Sequence, residues 1–386
     1  MDRTRRFVGV VTLLVRERTP AALGMGALGK GSRRRGLHHL LLALTVALHL
    51  VPQRTSQAKP PDASAGARIE EIASICAQDP GGRGIGPLAR DTRKHLYQAA
   101  SSIADHPAPK VAILTGFFIP QAKPPAAETD GPVGSSHLAA GLINAGIDTV
   151  VVTDEPCAGT VKAALRAASM VIGKDIPLEV VAFSRDRSPQ AVAFTIRSLE
   201  DIAGRLRSRG ITHIVALERV ARSHDGRPHN MRGDDISAFT APLDVIFDSP
   251  GAPWMNRRIG VGDGGNEIGM GFFEPRKIEK AIQKGKVIPA KTAADSLLVC
   301  GTSNWGGPAL LLAVAILKPQ LRARLTATLT PRADFDILYR TVHEGHAVDG
   351  ITLQNRLSVD GLPWAVHKTV LEQMLRVAGG SCGTTR

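Results

Sequence analysis

Between residues 110 and 300 the chain alternates short, continuously apolar runs with longer stretches of helical period. Lys110 to Ile119 (KVAILTGFFI) is a β-branched apolar run, followed by Pro and Gly punctuation and a helical stretch over 137–145. Asp148 to Thr153 (DTVVVT) reads as a second buried strand, with a helix near 159–169. Leu178 to Phe183 is a third, ahead of a long amphipathic run over 189–208 that ends at Gly210. Ile211 to Leu217 (ITHIVAL) is a fourth. Ile259 to Val261 and Ser296 to Cys300 add two more, each expected to run into a glycine-rich turn and then a helix. Strands that are apolar along their whole length are buried on both faces. The pattern therefore predicts an α/β fold, a mostly parallel sheet with helices on both faces. No repeat and no linker interrupts residues 70–375, so a single large domain over 66–386 is expected.

Residues 1–65 stand apart. Residues 1–60 hold eleven Lys and Arg against two acids, a net +9, which leaves +4 of the chain's +13 for the rest. The basic charge is thus concentrated in the leader, and no nucleic-acid partner is expected of the folded part. Leu37 to Val51 (LHHLLLALTVALHLV) is too short and too rich in His for a stable membrane span and resembles a signal h-region, with Ser56-Gln57-Ala58 as a cleavage site. A disordered leader and an over-extended start, with the true start at Met25, are the alternatives. The expected location is cytoplasmic, with export as the alternative. Cys76, Cys157, Cys300 and Cys382 show no metal-type spacing and read as reduced thiols.

In doubly wound sheets the ligand sits where strands end and helices begin. Here those turns are acidic: Glu128 and Asp130 follow the first strand, Asp154 and Glu155 the second, Glu218 the fourth, Asp263 and Glu267 the fifth. Parallel neighbours would bring all seven carboxylates to one edge. Gly260-x-Gly262-x-x-Gly265 matches a dinucleotide fingerprint, but Asp263 and Glu267 would oppose the phosphates, so no nucleotide cofactor is expected. The loop Asp263-Gly264-Gly265-Asn266-Glu267 instead suits a cation or a cationic group. The bland alternative is that Asp263 caps the next helix and Glu267 complements its dipole. Crowded carboxylates raise one another's pKa or recruit a metal, and an all-oxygen set at Glu128, Asp130, Asp154 and Asp263 favours Mg, Mn or Ca. Asp263, Glu267 and Glu218 are the candidate acid–base residues. Arg219, Asn266, Gly264, Gly265, Ser303, Asn304 and Arg83 are candidate substrate contacts, the arginines as carboxylate clamps.

Seven blocks carry a family resemblance: DPGGRGI (79–85), TGFFIP with PPAAETDGP (115–132), VTDEPC (152–157), ALERVAR with DGRPHNMRG (216–233), GVGDGGNEIGMG (260–271), TSNWGG (302–307) and VDGLP (359–363). Together they resemble the D-glutamate cyclase C-terminal domain. The resemblance implies a hydro-lyase in D-amino acid metabolism that converts D-glutamate to 5-oxo-D-proline and water within an α/β domain, with a small glutamate-like substrate. The animal cyclases it resembles carry a further large N-terminal domain, which residues 1–65 are too short to supply. A metal-dependent hydrolase or phosphatase and a non-catalytic amino-acid or metal-binding module are the alternatives the acidic cluster leaves open.

Overall fold

The computed structural model describes residues 63–282 and 285–379. The signal-like run and its cleavage site lie outside the described residues. Six parallel strands form one sheet: β1 (Lys110–Thr115), β2 (Asp148–Asp154), β3 (Leu178–Val181), β4 (His213–Leu217), β5 (Arg258–Gly262) and β6 (Ser296–Val299). Their spatial order is β3-β2-β1-β4-β5-β6. That order winds outward in both directions from β1, so a crevice opens between the carboxyl ends of β1 and β4. Val111 faces Thr149 of β2 on one side and His213 of β4 on the other.

The alternation within β1 explains why both faces are covered. Val111 and Ile113 enter one apolar core, Ala112 and Leu114 the other. The first core is closed by α1 (Ala63–Cys76), α3 (His95–Ala104), α4 (Pro132–Asn144), α5 (Glu155–Ile172) and helices from the C-terminal third. The second receives α2 (Gly86–Asp91), α6 (Pro189–Arg209), α7 (Asp244–Phe247) and α8 (Pro275–Ala281), with Trp254 fully buried. Among these, α6 has the start and stop signals that set a helix by sequence. The Ser188 hydroxyl accepts from Ala191 N at 3.3 Å, Pro189 opens the first turn, and Gly210 closes it in the left-handed region.

After β6 the chain makes a 3-10 turn (Ser303–Trp305) and enters α9 (Gly306–Leu317, GGPALLLAVAIL). An apolar surface all round requires burial, and α9 packs between α1, α3 and α4. The chain continues through α10 (Arg322–Leu325), α11 (Pro331–His343) and α12 (Trp364–Val377), which returns to pack on α1. No helix among the described residues is long and apolar enough to cross a membrane.

Three differences from the sequence reading have physical causes. The apolar run 110–119 breaks after Thr115, and Phe118–Ile119 pairs antiparallel with Ala126–Ala127. The glycine turn after β5 does not lead straight into a helix, because α8 begins only at Pro275. Helix α1 starts at Ala63, inside the stretch read as a leader, and Ala65, Ile69 and Ile72 enter the main core.

Gly134 in α4 and Gly307 in α9 let two helices touch through bare backbone: a Cβ on Gly307 would lie 2.1 Å from the Gly134 carbonyl oxygen. Gly307→Ala is expected to cost about 1–3 kcal/mol through overpacking that backbone cannot relieve. Urea denaturation measures it, and an unchanged midpoint would reject this contact.

Candidate active site

Three carboxylates meet at the crevice between β1 and β4. Asp130 arrives on the loop after β1, Glu218 is the first residue after β4, and Asp263 is the first after β5. One oxygen of each lies within 4.8 Å of the others, and all three side chains are buried. The approach depends on local backbone. Gly131 has φ +95°, and a Cβ there would sit 2.9 Å from the Glu218 Cβ and 3.0 Å from Thr115 Oγ1. Glu218 itself adopts φ +46°, a strained conformation for a residue with a side chain, which turns the chain back at the strand end.

Helix starts and backbone amides hold the acids in place. Asp130 accepts from Ser303 N at 3.0 Å and Asn304 N at 2.7 Å, where the turn leading into α9 begins. Ser303 N also reaches Asp263 at 3.3 Å. The Asn304 side chain accepts from Gly131 N and Gly134 N, each at 2.8 Å, and donates to Thr129 O at 3.0 Å. It thereby satisfies the open first turn of α4. Ser303 and Asn304 thus act here through backbone amides and a helix cap.

Glu267 folds back into its own loop. Its carboxylate accepts from Asp263 N at 2.9 Å, Gly264 N at 2.5 Å and Gly265 N at 2.7 Å. These are the amides a glycine-rich loop would otherwise offer to a phosphate, and an internal anion already fills them. The fingerprint also lies across the end of β5, whereas a dinucleotide loop in this strand order follows β1. Neither Asp263 nor Glu267 caps a helix, because α8 starts eight residues beyond Glu267 with Glu274 at its N-cap. Asn266 donates to His229 O at 2.8 Å, and a Cβ on Gly264 would lie 2.5 Å from Met231 Sδ, so the 229–231 segment roofs the loop.

Arg83 is the cation of the cluster. Its guanidinium bridges Asp263 and Asp360, and its loop is pinned by Asp79, which accepts from Arg83 N and Gly84 N at 2.8 Å each. Arg219, in contrast, is fully buried away from the three acids. It donates to Asp154 Oδ2 at 2.5 Å, Gly116 O at 2.7 Å, Thr240 Oγ1 at 2.7 Å and Ala241 O at 2.6 Å. Asp154 is therefore drawn to Arg219 and not into the triad, and its role is to anchor the strand end. Glu155 lies in the first turn of α5, where Phe183 N donates to it at 3.3 Å. Glu128 is buried close enough to Asp360, Asp349 and Glu267 to feel their charge.

The sequence reading did not single out Asp360 or Asp349. Asp360 (φ +55°) precedes Gly361, and Asp349 fixes that loop by accepting from Gly361 N at 2.8 Å and Ser358 Oγ at 2.6 Å. The Asp-Gly pair at 360–361 was the available signal.

Burial pushes the pKa of Glu128, Asp130, Glu218 and Asp263 well above the usual carboxylate range. Neighbouring acids add to this: Asp360 for Glu128 and Asp130, and Asp263 for Glu218. Arg83 opposes the rise at Asp263. At Arg83, burial disfavours the charge, but Asp263 and Asp360 outweigh it and raise the pKa further. Carboxylates this close compete for protons, so ionisation of one raises the proton affinity of the others.

A profile of the family described as "D-glutamate cyclase-like, C-terminal" matches residues 72–375. The chain is also 32% identical over 256 residues to "D-glutamate cyclase, mitochondrial" of Homo sapiens, an alignment that covers 66% of this chain and 40% of that protein. It therefore spans less than half the length of that curated relative.

Because the folded-state pKa values of these acids lie above their unfolded values, the unfolded chain releases their protons first as pH rises, and the stability they contribute falls from about pH 4 upward. Among the described residues no group donates a hydrogen bond to the Glu128 carboxyl, so Glu128→Gln is expected to raise the melting temperature at pH 8 and to flatten the decline. Melting curves from pH 5 to 8 test this; an unaltered slope would mean that Glu128 ionises freely.

Proposed function

The chain belongs to the D-glutamate cyclase-like family, and from that premise we propose that it cyclises glutamate, the D enantiomer foremost, to 5-oxoproline and water. The supporting observation is the buried triad Asp130, Glu218 and Asp263 facing one arginine at the sheet's switch point. Cyclisation forms a bond between the α-nitrogen and the carbon of the γ-carboxyl group and breaks one carbon–oxygen bond of that carboxyl. Two ammonium protons leave with that oxygen as water. The reaction needs a carboxylate to take a proton from the ammonium and a carboxylic acid to give one to the departing oxygen. A cluster with raised, shared pKa values holds both forms at one pH. Asp263, held against Arg83, is the base in this reading, and Glu218 is the acid. Arg83 takes the substrate α-carboxylate, the anion its guanidinium suits best. Folding glutamate so that its amine faces its own γ-carboxyl carbon supplies acceleration by proximity.

The donor set fits a divalent cation. All three ligand atoms are oxygens, and Glu218 Oε2 is buried without a protein hydrogen-bond partner. Asp130, Glu218 and Asp263 would hold Mg, Mn or Ca, which supplies polarisation of the γ-carboxyl when bound. Asp154 is left out of this set because it is spent on Arg219.

Two tests follow. Asp263→Asn keeps the shape and removes the charge, so 5-oxoproline formation from D-glutamate should fall by about two to four orders of magnitude. Mn titration of the same variant by calorimetry should show weakened binding. Near-normal turnover would move the base elsewhere, and tight glutamate binding without turnover in the wild type would mark a binding module. For Arg83, the Lys variant should retain more activity than Arg83→Gln, with the loss concentrated in KM, as expected of a carboxylate anchor. An effect confined to kcat would reject the anchoring role. Cellular placement rests on the segment before residue 63; fused to a fluorescent reporter, it separates cytoplasmic retention from export or mitochondrial import.

A further inference from the structure

Two thiols that the acid cluster does not use face each other near its edge. Cys76 is the last residue of α1 and Cys300 is the first after β6; both are buried, and their Sγ atoms are 3.2 Å apart. Gly301 N donates to Cys76 O at 2.9 Å, which keeps the two backbones side by side. We propose that Cys76 and Cys300 form an oxidation site, at which a hydroperoxide converts the pair into a disulfide that ties α1 to the end of β6.

Three features support this. The sulfurs need to close by only about 1 Å to reach a disulfide bond length of about 2.05 Å, and the paired backbones already hold the residues adjacent. An oxidant has a way in: a cavity of about 270 Å3 is lined by both cysteines, and exposed Arg90 and Arg93 also line it. Cys157, the remaining described cysteine, lies instead against Asp154 and Arg219.

The chemistry closes without another reactant. The Cys76 sulfur, slightly the more exposed, attacks the peroxide O–O bond, giving a sulfenic acid and an alcohol or water. The Cys300 sulfur then attacks that sulfur; the S–S bond forms, the S–O bond breaks, and water leaves. Two electrons pass from the sulfurs to the peroxide, and two thiol protons end in the products. The product joins residues 224 positions apart, so it constrains the unfolded chain strongly. It also fixes the strand end that runs through Gly301 and Thr302 to Ser303, whose amide donates to Asp130 and Asp263.

The test uses the full chain carrying Cys382→Ser, so that a thiol in the tail does not contribute. After treatment with equimolar hydrogen peroxide, the intact mass should fall by two hydrogens. Non-reducing peptide mapping should recover one cross-linked pair containing Cys76 and Cys300, with Cys157 alkylated only after unfolding. The melting temperature should rise by about 5 °C or more and return on adding dithiothreitol. Cys76→Ser and Cys300→Ser should each abolish the mass change and the shift; if either fails to fold, the map of the parent protein decides alone. Three alkylatable thiols after treatment, or oxygen added to Cys76 without a cross-link, would overturn the proposal.

Discussion

The structure is organised around burying negative charge at the carboxyl edge of a parallel sheet. Carboxylates removed from water must be hydrogen-bonded, paired or protonated, and each acid here takes one of these routes. Asp154 is paired with Arg219 in a fully dry contact. Glu267 is surrounded by three amides of its own loop. Asp130 takes two amides from the turn before α9. Asp263 and Asp360 share Arg83. Glu218 keeps one oxygen without a partner, and burial raises the proton affinity of Glu218, Glu128, Asp130 and Asp263 alike. Much of the local geometry serves this distribution. The positive φ at Glu218 and Gly131, the cap by Asn304, and the Asp360 turn bring compensating groups within reach.

The strand order β3-β2-β1-β4-β5-β6 is one that commonly binds dinucleotides at the same crevice, yet the chemistry differs. What changed is the sign of the loops. A dinucleotide site leaves backbone amides open toward an anion. In this chain an internal carboxylate closes those amides, and the turns after β1, β4 and β5 present acids. The same scaffold geometry then favours a cation or a cationic substrate group. Topology set the place of the site, and side-chain charge set what the place can hold.

The sheet was legible because parallel strands buried on both faces must be apolar throughout, and six such runs stand out against amphipathic helices. The boundaries were less so: β1 stops at Thr115 although apolar residues continue to Ile119, since the turn at Gly116 is a backbone event that hydropathy does not record. Within the site, Asp130, Glu218 and Asp263 were legible as acids at successive strand ends. Arg83 was legible as a cation on a glycine loop. Which arginine faced which acid was not. Arg219 and Arg83 carry the same group, and only the packing of residues 240–241 against β2 decides that Arg219 turns to Asp154. Asp360 lies 97 residues beyond Asp263 on a short loop, and no local pattern joins the two.

Protonation and cation binding are alternative ways of neutralising the same charges, and this couples them. Five acids, Glu128, Asp130, Glu218, Asp263 and Asp360, surround one arginine, so the cluster cannot ionise fully on Arg83 alone. In the protein by itself, burial and mutual repulsion raise the affinity of Glu128, Asp130, Glu218 and Asp263 for protons, the paired acids among them. A divalent ion held by Asp130, Glu218 and Asp263, as proposed, would displace those protons and loosen the hold of Asp263 on Arg83. The guanidinium would then face a substrate carboxylate with one fewer internal competitor. On this argument the arginine and the triad form one electrostatic unit. The proposed acid–base roles, cation site and substrate anchor all depend on how its missing positive charge is supplied.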